Sequence, residues 1–125
     1  MERKKILIVD DEEEVLLLLE KYLVREGYDV ITAATGREAV IKARSLSPHL
    51  ILMDIVLPDI DGPEVVKKLQ EKHETSKIPV IFLSGIVSKE EGKEPDIKVG
   101  NDEYDAMGKP FLVKDLLKKI ETAIS

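Results

Sequence analysis

Cysteine and long apolar runs are both missing from this chain of 125 residues. Without cysteine there can be no disulfide, no thiolate metal site and no cysteine nucleophile. No apolar run approaches the roughly 20 residues that a membrane-spanning helix needs. The run that follows Lys5 is also too short to form the core of a signal peptide. We therefore expect a cytoplasmic protein that has no membrane partner.

An excess of basic charge is missing as well. The 25 Asp and Glu residues outnumber the 19 Lys and Arg residues, which gives a formal net charge of -6. A nucleic-acid surface needs clustered Lys and Arg that face phosphates, so direct binding of nucleic acid is not expected. With 43% hydrophobic and 35% charged residues, the composition is typical of a globular protein. The length suits a single domain, residues 1–125, without a linker or an effector domain.

Five short apolar runs alternate with helical patterns along the chain. Runs of this kind are typical of strands buried on both faces of a parallel sheet. They predict strands at residues 6–9, 28–33, 50–53 and 78–83, and a weaker one at 104–107. Strands that alternate with helices predict an α/β fold, a doubly wound five-stranded parallel sheet with helices on both faces.

Helix starts are predicted by two capping-box patterns and one proline. Asp11 and Glu14 form the first pattern, and Thr35 and Glu38 form the second. The third start is Gly62-Pro63, because proline is tolerated in the first turn of a helix. We expect the first two helices to begin directly after Asp11 and Thr35, and the third to open with Gly62-Pro63.

Two helices have unusual patterns. The first is predicted to bury Val15, Leu18, Leu19, Tyr22 and Leu23, while Leu16 and Leu17 widen its apolar stripe and suggest a partner surface. The helix predicted from Ser88 is interrupted by Gly92 and Pro95, so it should be short, broken or displaced.

Polar side chains follow four of the predicted strands directly: Asp10, Asp11, Asp54, Ser84 and Lys109. Right-handed crossovers bring the carboxyl ends of parallel strands to one edge of the sheet, where such folds bind their ligands. Carboxylates crowded at that edge repel one another, and oxygen ligands without His or Cys favour a hard cation such as Mg²⁺.

A carboxylate in such a place can act as a nucleophile toward phosphorus and form an aspartyl-phosphate. Phosphoryl transfer depends mainly on positioning and charge neutralisation, which Mg²⁺ and a lysine supply. Each residue also has a plain structural interpretation. The two acids after the first strand can simply cap a helix, Ser84 can begin a turn, and Lys109 can be a solvated surface lysine.

The chain resembles the receiver domain of two-component response regulators over essentially all of its length. The resemblance is carried by Asp10-Asp11 after the first strand, Asp54 followed by Leu57-Pro58 and Asp61-Gly62, Ser84 after the fourth strand, and Lys109-Pro110-Phe111. It implies a flavodoxin-like sheet with the strand order 2-1-3-4-5, and a cis peptide bond between Lys109 and Pro110.

The resemblance also implies a function and a role for each site residue. Asp54 would accept a phosphoryl group from a sensor histidine kinase or a phosphotransfer protein, and Ser84 and Lys109 would bind the phosphoryl oxygens. Mg²⁺ would be held by Asp54, Asp11 and the backbone carbonyl of Val56, with Asp10 helping through water. The chain would not be an enzyme beyond its own phosphorylation and dephosphorylation. It would act on a downstream protein target as a monomer or weak dimer.

The sequence departs from the family pattern at the switch residue. Three positions before the lysine, where receivers usually carry an aromatic residue, this chain has Ala106, and Tyr104 lies two residues earlier. We therefore expect an altered output surface from the fourth helix, fifth strand and fifth helix, with residues 86–102 as its least predictable part. Val56 and Ile86 are apolar where they would flank the attacking water, which predicts slow self-dephosphorylation.

Two other functions stay open from the sequence. A degenerate receiver that acts only as a protein-binding module is favoured by Ala106 and opposed by the complete set of acids, hydroxyl and lysine. A Mg²⁺-dependent phosphohydrolase with an aspartyl nucleophile needs a second acid two residues after the first, and Val56 occupies that position.

Overall fold

The computed structural model describes residues 2–85 and 96–125. The strands are β1 (Lys5–Val9), β2 (Asp29–Ala33), β3 (Leu50–Asp54), β4 (Val80–Ser84), β5 (Ile97–Val99) and β6 (Asp102–Gly108). The helices are α1 (Glu13–Arg25), α2 (Gly36–Leu46), α3 (Gly62–Gln70), α4 (His73–Ser76) and α5 (Val113–Ile124).

The sheet has the order β2-β1-β3-β4-β6-β5. The first five strands of this order are parallel, and they confirm the predicted doubly wound sheet, with β6 as the expected fifth strand. A sixth strand, β5, was not predicted. It pairs antiparallel with β6 across a turn at Gly100, whose φ of 63° lies in the left-handed region that glycine adopts without strain.

Two apolar layers cover the two faces of the sheet. Along β3 the buried side chains alternate, so that Ile51 and Met53 face one layer while Leu50 and Leu52 face the other. The first layer also contains buried residues of α2 and α3, and the second contains those of α1 and α5. Helices therefore flank both faces, which is why β3 is apolar from Leu50 to Met53.

The start of α1 differs from the prediction. The N-cap is Glu12, and Asp11 is exposed just outside the helix. The backbone amide of Glu12 instead donates to Oδ1 of Asp10, at 2.9 Å. The predicted Asp11 capping box is wrong, because the carboxylate of Asp10, just after the strand, accepts the hydrogen bond from the amide of Glu12 in the turn. Asp11 is thereby left at the sheet edge.

The buried stripe of α1 is narrower than predicted. Leu19 and Leu23, one turn apart, are buried, whereas Leu17 and Leu18 are 58% and 50% exposed. The prediction that Leu18 faces the core is wrong. By contrast, Thr35 is confirmed as an N-cap, since its side chain accepts a hydrogen bond from the amide of Glu38 at 3.1 Å. The side chain of Glu38 reaches back one residue further than a capping box requires and accepts from the amide of Ala34 at 2.7 Å.

Part of the surface that the sequence predicts to carry the output lies outside the described residues. The helix predicted from Ser88 and the position of Ile86 both fall between residues 85 and 96. Across residues 2–85 and 96–125, no helix has the length and the apolar character needed to cross a membrane.

Candidate functional site

Strand register brings the predicted site residues to one edge of the sheet. Val9 lies opposite Met53, so Asp10 and Asp54 are the next residues on adjacent strands. On the other side of β3, Asp54 pairs with Leu83, and Ser84 follows. Ser84 pairs in turn with Gly108 of β6, which places Lys109 directly after the last paired position.

Three carboxylates meet at this edge. One oxygen from each of Asp10, Asp11 and Asp54 lies within 4.8 Å of the others. Asp10 and Asp54 are only 1% and 7% exposed, whereas Asp11 is exposed to solvent. Two buried acids and one accessible acid therefore form an all-oxygen donor set that is open on one side. Hard divalent cations such as Mg²⁺ prefer such sets.

Lys109 supplies the balancing positive charge. Its Nζ donates to Oδ2 of Asp10 at 2.7 Å and lies 3.6 Å from Oδ2 of Asp54. Burial on its own lowers the pKa of Lys109. The hydrogen bond to Asp10 and the charges of Asp10, Asp54 and Glu12 outweigh that effect, so the pKa is raised and the lysine stays charged.

The environment of Asp54 opposes its ionisation. Burial raises the pKa of this carboxyl group, and the charge of Asp10 adds to the increase. The ammonium group of Lys109 and the backbone amides of Val56 and Ile55 act in the opposite direction without cancelling it. A cation placed among the three acids would remove this repulsion, so the donor set fits a divalent ion electrostatically.

The loop after β3 passes close behind Asp54. The amide of Gly62 donates to the carbonyl of Ile55 at 2.7 Å, which closes the loop. A Cβ atom at Gly62 would collide with the backbone carbonyl of Asp54, so the close approach requires glycine. Within the loop Leu57 is buried in the core, while the side chain of Val56 is 60% exposed beside the site.

Ser84 and Lys109 are joined through the backbone. Ser84 is buried at the end of β4, and its carbonyl accepts a hydrogen bond from the amide of Lys109 at 2.9 Å. The peptide bond between Lys109 and Pro110 is cis, as the resemblance implied. The structure therefore brings Asp10, Asp11, Asp54, Ser84 and Lys109 to the same sheet edge.

The switch position differs from the usual pattern in a defined way. Ala106 is buried opposite Phe82 in the register of β4 and β6. The rings of Tyr104 and Phe82 pack edge to face, with centroids 6.0 Å apart, and the hydroxyl of Tyr104 accepts a hydrogen bond from Nε2 of Gln70 at 2.9 Å. Nothing in the sequence pattern singled out Gln70, because it contacts Tyr104 across 34 residues of chain.

Comparisons with known proteins agree with this geometry. The response regulator receiver domain family matches residues 6–121. The alkaline phosphatase synthesis transcriptional regulatory protein PhoP of Bacillus subtilis is 40% identical over 121 residues, which is 97% of this chain and 48% of that protein. The chain thus spans about half the length of the curated relatives that it matches.

Solved structures with the same fold cover nearly the whole chain. The Vibrio cholerae chemotaxis protein CheY4 is 32% identical, with a TM-score of 0.83 over 98% of this chain and 99% of that one. The receiver domain of the sensor histidine kinase PA1611 from Pseudomonas aeruginosa was solved with a magnesium ion coordinated in its active site cleft. It is 26% identical, with a TM-score of 0.84 over 98% of both chains. The chain belongs to the response regulator receiver domain family.

Proposed function

We propose that residues 1–125 act as a phosphoryl-accepting receiver domain of a two-component system, with Asp54 as the acceptor. The observation that carries this proposal is the geometry around Asp54. Carboxylate oxygens of Asp10 and Asp11 lie within 4.8 Å of it, and the charged Nζ of Lys109 lies 3.6 Å away. An ionised nucleophile, a set of cation ligands and a fixed positive charge are the groups that phosphoryl transfer requires.

In the reaction, a carboxylate oxygen of Asp54 attacks the phosphorus of a phosphohistidine on a sensor kinase or phosphotransfer protein. The new P–O bond forms as the P–N bond breaks, and the electron pair of that bond stays on the histidine. No general base is needed, because the nucleophile is a carboxylate and carries no proton that must be removed during attack. A Mg²⁺ ion, when bound, neutralises charge that builds up on the phosphoryl oxygens.

The remaining roles, which are binding the ion and binding the phosphoryl oxygens, fall to residues of the chain. Asp10, Asp11, Asp54 and the backbone carbonyl of Val56 are the proposed ligands of the ion. Ser84 and Lys109 receive the phosphoryl oxygens. This assignment predicts that Lys109 exchanges part of its pairing with Asp10 for the phosphoryl group, since Nζ already lies between Asp10 and Asp54.

An altered output surface is supported by the contacts of Tyr104. In the position where the family has its usual aromatic residue, Ala106 is too small to rotate and report the modification. Gln70, at the end of α3, bonds Tyr104, the carbonyl of Val99 and the carboxylate of Asp102. Because α3 begins directly behind Asp54, it connects the acceptor to the β5–β6 hairpin, and we propose this hairpin as part of the readout.

A binding-only module remains the alternative function, and it rests on Ala106 alone. A phosphohydrolase is less favoured, because Val56 has no acidic group with which to activate water. We propose a cytoplasmic protein, monomeric or weakly dimeric, whose target is another protein. The net charge of -6 favours that choice over direct contact with nucleic acid.

The test is incubation with acetyl phosphate and Mg²⁺, followed by mass measurement of the intact chain. We expect wild type to gain the mass of one phosphoryl group and Asp54→Asn to gain none. Asp29→Asn is the matched control, since Asp29 is exposed at the start of β2, at the opposite end of the strands. A wild-type chain that gains no mass would leave the binding-only module as the function.

A further inference from the structure

Asp59 forms a contact that the phosphorylation chemistry does not use. Its Oδ1 accepts a hydrogen bond from the amide of Gly36 at 2.8 Å, and its Oδ2 accepts one from the amide of Arg37 at 2.9 Å. Both amides belong to the first turn of α2, where backbone donors have no partner within the helix. Asp59 lies in the loop between β3 and α3, so one carboxylate joins that loop to a different helix.

A close backbone approach at the same place supports this connection. A Cβ atom at Gly36 would lie 2.5 Å from Cγ1 of Ile60 and 2.9 Å from its carbonyl oxygen. Glycine is therefore required at the start of α2, because the loop is pressed against it. The hydrogen bonds of Asp59 and the packing of Ile60 together hold residues 59–60 on the end of α2.

The loop held in this way also carries the main chain beside Asp54. Val56 lies three residues before Asp59, and the two are separated only by buried Leu57 and by Pro58, whose φ is fixed by its ring. The backbone amide of Val56 favours the ionised form of Asp54. Only three peptide bonds therefore separate the residue held on α2 from the main chain beside Asp54.

We propose that Asp59 is a positioning residue for the phosphoryl-acceptor site: by holding the loop on the first turn of α2, it fixes the Val56 main chain where Asp54 and a bound cation need it. This inference rests on the proposed function. It adds a residue that contacts neither the cation nor the phosphoryl group. A carboxylate suits the role because its two oxygens accept from two neighbouring amides at once, and its charge favours a helix N-terminus.

Thr35 offers a matched control. Its side chain also accepts a hydrogen bond from the first turn of α2, from the amide of Glu38. Thr35→Ala therefore weakens the same helix end as Asp59→Ala but leaves the loop after β3 untouched. If Asp59 only stabilises the helix end, both variants should bind Mg²⁺ equally well. If Asp59 positions the loop, only the substitution of Asp59 should weaken Mg²⁺ binding.

The experiment measures the dissociation constant of Mg²⁺ by titration calorimetry and the rate of modification by acetyl phosphate at saturating Mg²⁺. Groups that orient metal ligands from outside the coordination shell typically contribute about tenfold or more to metal affinity. We expect Asp59→Ala to bind Mg²⁺ about tenfold more weakly than wild type, and Thr35→Ala to bind like wild type. Asp59→Asn keeps one acceptor oxygen and should fall between wild type and Asp59→Ala, and it replaces the alanine variant if that one does not fold.

The outcomes separate the two proposals. If wild type takes up a phosphoryl group and both substitutions at residue 59 bind Mg²⁺ as wild type does, the positioning role is overturned while the proposed function stands. Equal weakening by Asp59→Ala and Thr35→Ala would also overturn it, because the effect would then come from the helix. A wild-type chain that neither binds Mg²⁺ nor reacts overturns the proposed function itself.

Discussion

Replacing Asp54 by Asn should make the protein more stable when no divalent cation is present. Burial disfavours the ionised form of Asp54 and the charge of Asp10 adds to this effect, whereas the ammonium group of Lys109, 3.6 Å away, opposes it without cancelling it. With an effective dielectric constant between that of water and that of a protein surface, Coulomb's law gives roughly 1 to 4 kcal/mol for the attraction and for the repulsion, so the two largely offset each other. The burial of the charge, which costs on the order of 1 to 2 kcal/mol, therefore decides the sign. Asn keeps the shape and an acceptor oxygen for the loop amides, so the expected gain in the free energy of unfolding is about 1 to 2 kcal/mol.

The pH dependence of this gain follows from the direction of the pKa shift. Because burial raises the pKa of Asp54 in the folded state, the protonated form favours folding. The protonated form contributes its full share to the free energy of unfolding below the ordinary pKa of an unfolded aspartate. This contribution is lost as the pH rises through the pKa of Asp54 in the folded state. The advantage of Asp54→Asn should therefore be largest at neutral pH and should disappear in acid, where wild-type Asp54 is already neutral.

Urea unfolding in EDTA, followed by circular dichroism, measures this difference in a chain that has no tryptophan. The control is Asp29→Asn, which removes an exposed acid at the far end of the strands and should leave the midpoint nearly unchanged. Adding Mg²⁺ at ten times its dissociation constant should stabilise wild type by about 1.4 kcal/mol and Asp54→Asn by much less. The reasoning fails if Asp54→Asn is less stable than wild type in EDTA at pH 7.

Three further predictions concern single contacts. Asp10→Asn removes a like charge and releases Lys109 toward Asp54, so the pKa of Asp54 should fall; a carboxyl ¹³C titration in EDTA that gives the wild-type midpoint would contradict this. Val56→Asn would place a polar group beside the proposed acyl phosphate, where it can orient an attacking water, and should speed loss of phosphate after the donor is removed; an unchanged rate would contradict this. Tyr104→Phe deletes the hydrogen bond from Gln70 and should lower the free energy of unfolding by about 1 kcal/mol. Urea unfolding measures this difference, and a midpoint equal to that of wild type would show that the contact adds no stability.

Much of the fold was predictable because its strands are buried on both faces. Continuous apolar runs such as residues 50–53 mark central parallel strands, and the polar residues that follow them mark the sheet edge. The strand β5 escaped prediction because three residues give no usable alternation. The helix α4 has only four residues and shows no apolar period.

The errors at α1 have a local cause. A capping pattern in the sequence does not say which of two neighbouring acids accepts the hydrogen bond from the amide in the turn. Here the acceptor is Asp10, because it lies next to the end of the strand. The width of the buried stripe of α1 was overestimated, because leucines at four successive positions are compatible with several choices of buried face. Only packing against the sheet selects the face that contains Leu19 and Leu23.

The residues that meet at the sheet edge could be predicted from the sequence, but the residues that hold this edge in place could not. Asp10, Asp11, Asp54, Ser84 and Lys109 each follow a strand, so topology alone brings them together. Asp59 and Gln70 act across 22 to 34 residues of chain, through contacts that exist only once α2, α3 and the hairpin have packed. No local pattern distinguishes them from ordinary polar residues of a loop or a helix end.

The central claim is that the carboxylate of Asp54, and no other group, becomes an acyl phosphate. Borohydride reduces an acyl phosphate of aspartate to homoserine, so reduction after treatment with acetyl phosphate and Mg²⁺ leaves a permanent mark on the reacting residue. Peptide mapping by mass spectrometry should find homoserine at position 54 and at no other aspartate. Homoserine at Asp10 or Asp11, or a phosphate on Ser84 that survives reduction, would contradict the account.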